Sequence, residues 1–453
     1  MRRIAVITRI GKNDTKKLST SKDLDLAVNL PVFNSNLSAE ERVTHERIFS
    51  EAKRLGLGLS ETAIDLIFLG ISVHAADTRI VRTLESQDGW SREIDLYLPV
   101  SDPSKWSGET SRLESTLHFL TGDFWRLFFR ERVKEVKHIA PKPEERVLYD
   151  TNTLSLFSGG LDSFIGAIDL FESGVTPVFL RHHSSTDVGA PQTTSAELLR
   201  KRYKTNVPDF IDAFVRIPAK PFGKAKEDTT RGRSFLFLSL GAAFASSLST
   251  AETKLIVPEN GFISLNVPLT PLRLGSLTTR TTHPHFVRSF QEFLKEIGLP
   301  VTIENPYQFK TKGEMLLGCR NQKSLGEGAA DTMSCSHPSV GRFGGGRAIG
   351  HCGYCVPCLI RQAAFKKAFG TDPTWYRTKI TSKRLNPRTS EGEQVRAFKL
   401  AANRTAIDTE TAKLMIRLSG PLPADTQFLD KAAGVYQRGM KEVADLLADV
   451  KTK

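Results

Sequence analysis

Thr153-Leu154-Ser155-Leu156-Phe157-Ser158-Gly159-Gly160-Leu161-Asp162-Ser163 is the stretch on which the reading of this 453-residue chain turns. Its first five residues are apolar and β-prone and read as a buried strand. Phe164 to Phe171 then fits a helix that ends near Gly174. A strand, a small-residue turn and a helix make an anion site, because glycines let the backbone approach a ligand and first-turn N–H groups lack intrahelical partners. Ser158 and Ser163 add hydroxyl donors, and Asp162 is placed to hold the Mg²⁺ that accompanies a polyphosphate. The turn is not a Walker A loop, which requires GxxxxGK[ST].

Outward from the turn, strands and helices alternate. Strands are expected at Thr176–Arg181, Ala213–Ile217 and Leu255–Val257, and helices at Thr194–Lys204, Ser234–Leu248 and His285–Ile297. That order predicts an α/β fold with a doubly wound, mostly parallel sheet and ligands at the carboxyl ends of its strands. Glu259-Asn260-Gly261 falls on the same rim. Residues 150–375 form this unit. Residues 1–145 read as an accessory α+β domain, with helices at Leu59–Val73 and Arg112–Leu120 and strands at Arg92–Val100 and Trp125–Phe129. Asp77 and Arg79 there read as surface residues. Ala140-Pro141-Lys142-Pro143-Glu144-Glu145 is the expected linker, and residues 376–453 are a basic, helical extension.

The net charge of +13 lies mostly in residues 1–20 and 361–400. It fits either a solvated basic face or a surface for nucleic acid or an acidic protein. Met1-Arg2-Arg3 leads into too short an apolar run for a secretory leader, and the longest apolar run, Phe235–Leu248, is too short to span a bilayer. A cytoplasmic setting with no membrane partner is expected. Cys335, Cys352, Cys355 and Cys358 are spaced C-x16-C-x2-C-x2-C. Four thiolates in this pattern suit a closed tetrahedral Zn²⁺ site, with an iron–sulfur cluster or disulfides as alternatives. Cys319, left over, reads as a small buried apolar residue.

The glycine turn resembles the SGGxDS signature of PP-loop, N-type ATP pyrophosphatases. Arg233-Ser234, Thr311-Lys312-Gly313-Glu314, Ser334-Cys335 and Cys352-Gly353-Tyr354-Cys355-Val356-Pro357-Cys358 resemble, in order, segments of the QueC-like family that makes 7-cyano-7-deazaguanine. The family's Tyr-Gly-Gln is here Arg181-His182-His183, and its Tyr-x-Asp-Cys-Arg segment is replaced by Arg280-Thr281-Thr282-His283. The added terminal domains make the chain most similar to the QueC-like component of the Qat anti-phage system. The resemblance implies that ATP activates the carboxylate of a deazapurine, 7-carboxy-7-deazaguanine, with release of pyrophosphate. An amine, from ammonia or a partner protein of the same system, then displaces AMP. Ser158, Gly159, Gly160, Leu161, Asp162 and Ser163 would cradle pyrophosphate and Mg²⁺. Asp162, Lys312 and Arg233 would carry the chemistry, and Glu259, Asn260, Arg280 and His283 would read the deazaguanine edge. The alternative suggested by the charge is a nucleic-acid-binding or RNA-modifying PP-loop protein.

Overall fold

The computed structural model describes residues 2–18, 24–86, 89–142, 147, 149–183, 186–203, 210–223, 225–227, 229–249, 252–269, 280–343, 349–381, 385–386, 388–402 and 408–451. The expected linker at 140–145 lies partly outside them. The first part of the chain forms β1 (Arg3–Ile10), β2 (Leu26–Val32), α1 (Glu46–Arg54), α2 (Glu61–Arg79), α3 (Arg82–Glu85), β3 (Glu93–Val100), α4 (Pro103–Gly108), α5 (Thr110–Thr121) and β4 (Phe124–Glu131). Its strands pair in the order β2-β1-β3-β4, and every pairing is parallel. This corrects the α+β expectation to α/β. The two unforeseen strands explain the error: β1 sits among basic residues, and β2 carries Pro31, which an edge strand tolerates.

The central part forms β5 (Thr153–Leu156), α6 (Leu161–Glu172), β6 (Val178–His183), α7 (Thr186–Tyr203), β7 (Phe210–Phe214), α8 (Arg233–Ala245), β8 (Thr253–Ile256), α9 (Gly261–Leu265), α10 (Pro284–Glu296), β9 (Val301–Glu304), α11 (Lys312–Leu317), α12 (Gln322–Gly328) and α13 (Val356–Phe369). Its parallel sheet has the order β7-β6-β5-β8-β9. The chain winds one way from β5 to β7 and the other way from β8 to β9. The strand order therefore reverses between β5 and β8, where such sheets open a crevice for ligands. Helices α14 (Ser390–Ala402), α15 (Thr409–Arg417) and α16 (Thr426–Leu447) complete the fold. Among the described residues, no helix is long and apolar enough to cross a membrane.

The two sheets share one apolar core. Helices α2 and α8 are apolar all round, the pattern of helices covered on every side, and both are almost wholly buried. They meet face to face at Gly70, where a Cβ would stand 2.9 Å from that of Ser239. Leu154 and Leu156 of β5 join this cluster with Phe235, Leu236 and Leu240 of α8 and Leu66, Phe68 and Leu69 of α2.

Asp77, expected at the surface, is fully buried, and Arg79 donates to the Ile217 carbonyl at 2.6 Å. Asp77 belongs to a charge cluster sealed between the sheets. Arg92 reaches Asp77 at 3.0 Å and Asp123 at 2.6 Å, and Arg82 reaches Asp123 at 2.5 Å. Local sequence reads Asp77 as a surface residue beyond the expected Leu59–Val73 helix, because its partners lie 5, 15 and 155 residues away. Removing one partner of a buried ion cluster strands the others without water or counter-charge. Asp123→Ala is therefore expected to lower unfolding stability by about 3–5 kcal/mol, read from urea midpoints against wild type.

Candidate functional site

β5 delivers the chain into the crevice, and the turn that follows depends on its glycines. Gly159 lies at φ +76°, and a Cβ there would stand 2.7 Å from Gln192. Gly160 is the N-cap of α6 and supplies no side-chain cap, and among the described residues no side chain engages the first-turn N–H groups of Asp162 and Ser163, which leaves these two for an anion. Ser158 Oγ accepts from Gly160 N at 3.3 Å and meets Ser163 Oγ at 3.2 Å. The turn is held from two sides. Gln192 of α7 donates to the carbonyls of Ser158 at 3.2 Å and His182 at 3.4 Å. Met333 N donates to the Gly159 carbonyl at 2.8 Å, and Leu161 N to Ser334 Oγ at 3.4 Å. Gln192 and Met333 carry no motif in the sequence. Ser334 was marked only by its neighbour Cys335.

Asp162, in the first turn of α6, is buried and pairs with Lys312 Nζ. It also accepts from Asn260 Nδ2 at 2.7 Å and Asn260 N at 3.1 Å. Burial by itself raises a carboxyl pKa, but the Lys312 charge and the hydrogen bonds from Glu259 and Asn260 override it, and Asp162 is held below its ordinary value. Glu259 beside it is pushed well above the ordinary range by burial and by the Asp162 charge. The arrangement is an ionised Asp162, a lysine counter-charge and a protonated Glu259. Lys312 is placed by a capping box: Thr311 Oγ1 accepts from Glu314 N at 3.1 Å, and Glu314 Oε2 accepts from Thr311 N at 2.9 Å. Helix α16 braces that turn, since Glu442 accepts from Thr311 Oγ1 at 2.5 Å and Arg438 reaches Glu314 at 2.5 Å.

These residues line a cleft of about 440 Å³ together with Arg233, His182, Phe237 and the Ser334–Cys335 segment. Ser158, Gly160, Leu161, Asp162, Ser163, Glu259 and Lys312 all face it, and Asn260 lies buried beneath. Arg233 opens α8 in the cleft and has no acidic partner among the described residues; burial lowers its pKa. Arg280 and His283, expected to read a base edge, do not line the cleft. Arg280 donates to the Phe119 carbonyl at 2.6 Å and lies over its ring at 4.4 Å. His283 caps α10 by accepting from His285 N at 3.2 Å and meets Ser419 at 3.2 Å. Both residues join the central sheet domain to the flanking ones, a role that one-dimensional spacing does not reveal.

The four cysteines come together, with all four Sγ atoms within 4.8 Å of one another. Cys335–Cys355 and Cys352–Cys358 are each 3.9 Å apart. Thiolates at 2.3 Å around a tetrahedral zinc stand about 3.8 Å apart, so the donor set fits the ion, and none of the four is disulfide-bonded. Backbone N–H groups of His337 and Cys352 donate to Cys335 Sγ, both at 3.3 Å, as thiolate acceptors favour. Cys319 is buried apart from them, and burial pushes its thiol up to about 12, in keeping with a packing role.

Elemental analysis is expected to find one zinc per chain. Cys352→Ser should lose it and melt roughly 5 °C lower or more, whereas reductant alone should leave wild-type melting unchanged. His283 supplies a second check. Burial and the Arg280 charge hold its pKa down at about 3, so the folded state binds no proton where the unfolded chain begins to at pH 6.5. Its stabilising contribution is thus complete above pH 6.5 and is lost as pH falls toward 3. Between pH 7.5 and 5.5 wild type should lose about 1.4 kcal/mol more stability than His283→Asn, measured by urea unfolding at both pH values.

Residues 281–369 match the family model described as Queuosine biosynthesis protein QueC. No curated protein matches the chain. The matched stretch spans the Lys312 turn and all four cysteines, and the glycine turn lies before it. The match makes this part of the chain similar to QueC proteins.

Proposed function

We propose that this protein adenylates the carboxylate of 7-carboxy-7-deazaguanine with ATP, releases pyrophosphate and passes the acyl group to an amine. The observation that carries this reading is the uncapped N-terminus of α6, which faces the cleft beside the buried Asp162–Lys312 pair. In-line displacement at an α-phosphate needs no protein nucleophile; it needs fixed dipoles and charge where negative charge moves to the leaving group. The first-turn N–H groups of α6 and the Ser158 and Ser163 hydroxyls would receive the departing pyrophosphate. Lys312 would offset its charge. Asp162 offers the carboxylate oxygens that would hold Mg²⁺, which shields phosphate charge. Arg233, which has no acidic partner among the described residues, offers the cation needed to bring a second anion, the attacking carboxylate, next to a triphosphate.

The acceptor in this reading is ammonia or an amine of a partner protein, and the resemblance to anti-phage Qat systems favours the partner. Pyrophosphate release with ATP and 7-carboxy-7-deazaguanine tests the reaction. Asp162→Ala and Lys312→Ala should each reduce kcat/KM about 100-fold or more, and the milder Ser163→Ala by about tenfold. Equal release by wild type and all three variants would contradict the assignment.

A further inference from the structure

One wall of the cleft includes His182 of β6, which stands where the QueC-like segment is replaced, and His74 of α2, in the N-terminal sheet domain, contacts that histidine without itself lining the cleft. The two rings meet edge to face at 6.5 Å, and His182 packs on Phe237 at 5.7 Å. Ser234 Oγ and His74 Nδ1 are buried and have no hydrogen-bond partner among the described residues. An unsatisfied buried polar atom costs about 1–3 kcal/mol, and Ser234 Oγ, on the cleft wall beside Arg233, marks a place where a polar ligand group belongs.

The N-terminal domain also fixes the chain that leads to Arg233. Asp77 accepts from Gly232 N, the N-cap of α8, at 2.7 Å. Arg231 donates to the Thr121 carbonyl at 2.8 Å, and Glu227 accepts from Arg82 N at 2.8 Å. Burial and the charges of Arg233, Lys226 and Arg79 hold His74 down at about 3. It is neutral at pH 7 and can hydrogen-bond without adding charge beside Arg233.

We propose that Arg233, Ser234 and His182 form a carboxylate subsite that His74 braces through its contact with His182, so that the N-terminal domain supports the acid-binding wall of the cleft. The charge count supports a carboxylate rather than a phosphate. Lys312 and the α6 N–H groups serve the nucleotide, and Arg233, the one guanidinium among the described residues that line the cleft, suits one bidentate carboxylate. Phe237, Leu238 and Val257 provide an apolar wall for a flat ring. His74 acts as a positioning residue through His182 and Arg233. The ligand class rests on the acid-activating function proposed above.

Isothermal titration of the full-length protein, with 7-carboxy-7-deazaguanine and separately with Mg·ATP, tests this directly. Arg233→Gln should weaken acid binding about 10- to 100-fold and His74→Gln about fivefold, while Arg233→Lys recovers part of the loss. ATP affinity should stay within about twofold in each, which also shows that the variants are folded. Unchanged acid binding, or ATP binding weakened as much as acid binding, would overturn the subsite. Wild type that binds ATP but not the acid would overturn it too, leaving the nucleotide reading standing. Acid binding that depends on Arg233 and His74, in a protein that releases no pyrophosphate, would support the subsite and remove the proposed reaction.

Discussion

The buried ion pair between Asp162 and Lys312 is the constraint that the cleft depends on. It joins the first turn of α6 to the first turn of α11 across 150 residues of sequence, and Asn260 links the carboxyl end of β8 to the same carboxylate. A buried pair gains stability only where hydrogen bonds satisfy the remaining oxygens. Here Asn260 does so with both its backbone and side-chain N–H groups. The pair therefore ties the two sides of the crevice together at the strand-order reversal, beside the N-terminus of α6.

The flanking parts of the chain brace that crevice. Helix α16 locks the lysine turn through Glu442 and Arg438. The zinc-fitting cysteines hold Met333 and Ser334 against the glycine turn, aided by fully buried Arg361, which donates to Ser334 Oγ at 3.2 Å and Thr332 Oγ1 at 2.8 Å. The N-terminal sheet domain seals one face of the central sheet by packing α2 on α8, and its buried Arg–Asp cluster ends on the N–H that starts α8. The α8 brace reaches the cleft through the Gly232 backbone and the α16 brace through the Thr311 and Glu314 side chains, so disturbance far from the site reaches it as altered helix-start geometry.

Local signals were legible where chemistry demands a fixed spacing. The glycine turn, the Thr311–Glu314 cap and the four cysteines each specify their geometry within a few residues, and they stand where the spacing implied. The central strands and helices followed from their periodicity, with β9 missed because four residues, Val301–Glu304, carry little pattern. Contacts between distant segments were not legible. Asp77 reads as a surface residue, and only the fold shows the guanidinium groups around it. Arg280 and His283 have the residue types of a binding loop, yet tertiary packing spends them on Phe119 and Ser419. The first domain's parallel topology was hidden because β1 and β2 lack strong strand signatures.

The central claim is that a carboxylate attacks the α-phosphate of ATP in this cleft. The most direct measurement supplies 7-carboxy-7-deazaguanine labelled with ¹⁸O in its carboxyl group and follows the label by mass spectrometry. Attack at the α-phosphate and displacement by an amine place one ¹⁸O atom in the phosphate of AMP. Label found in inorganic phosphate, or AMP formed without label, would contradict the account.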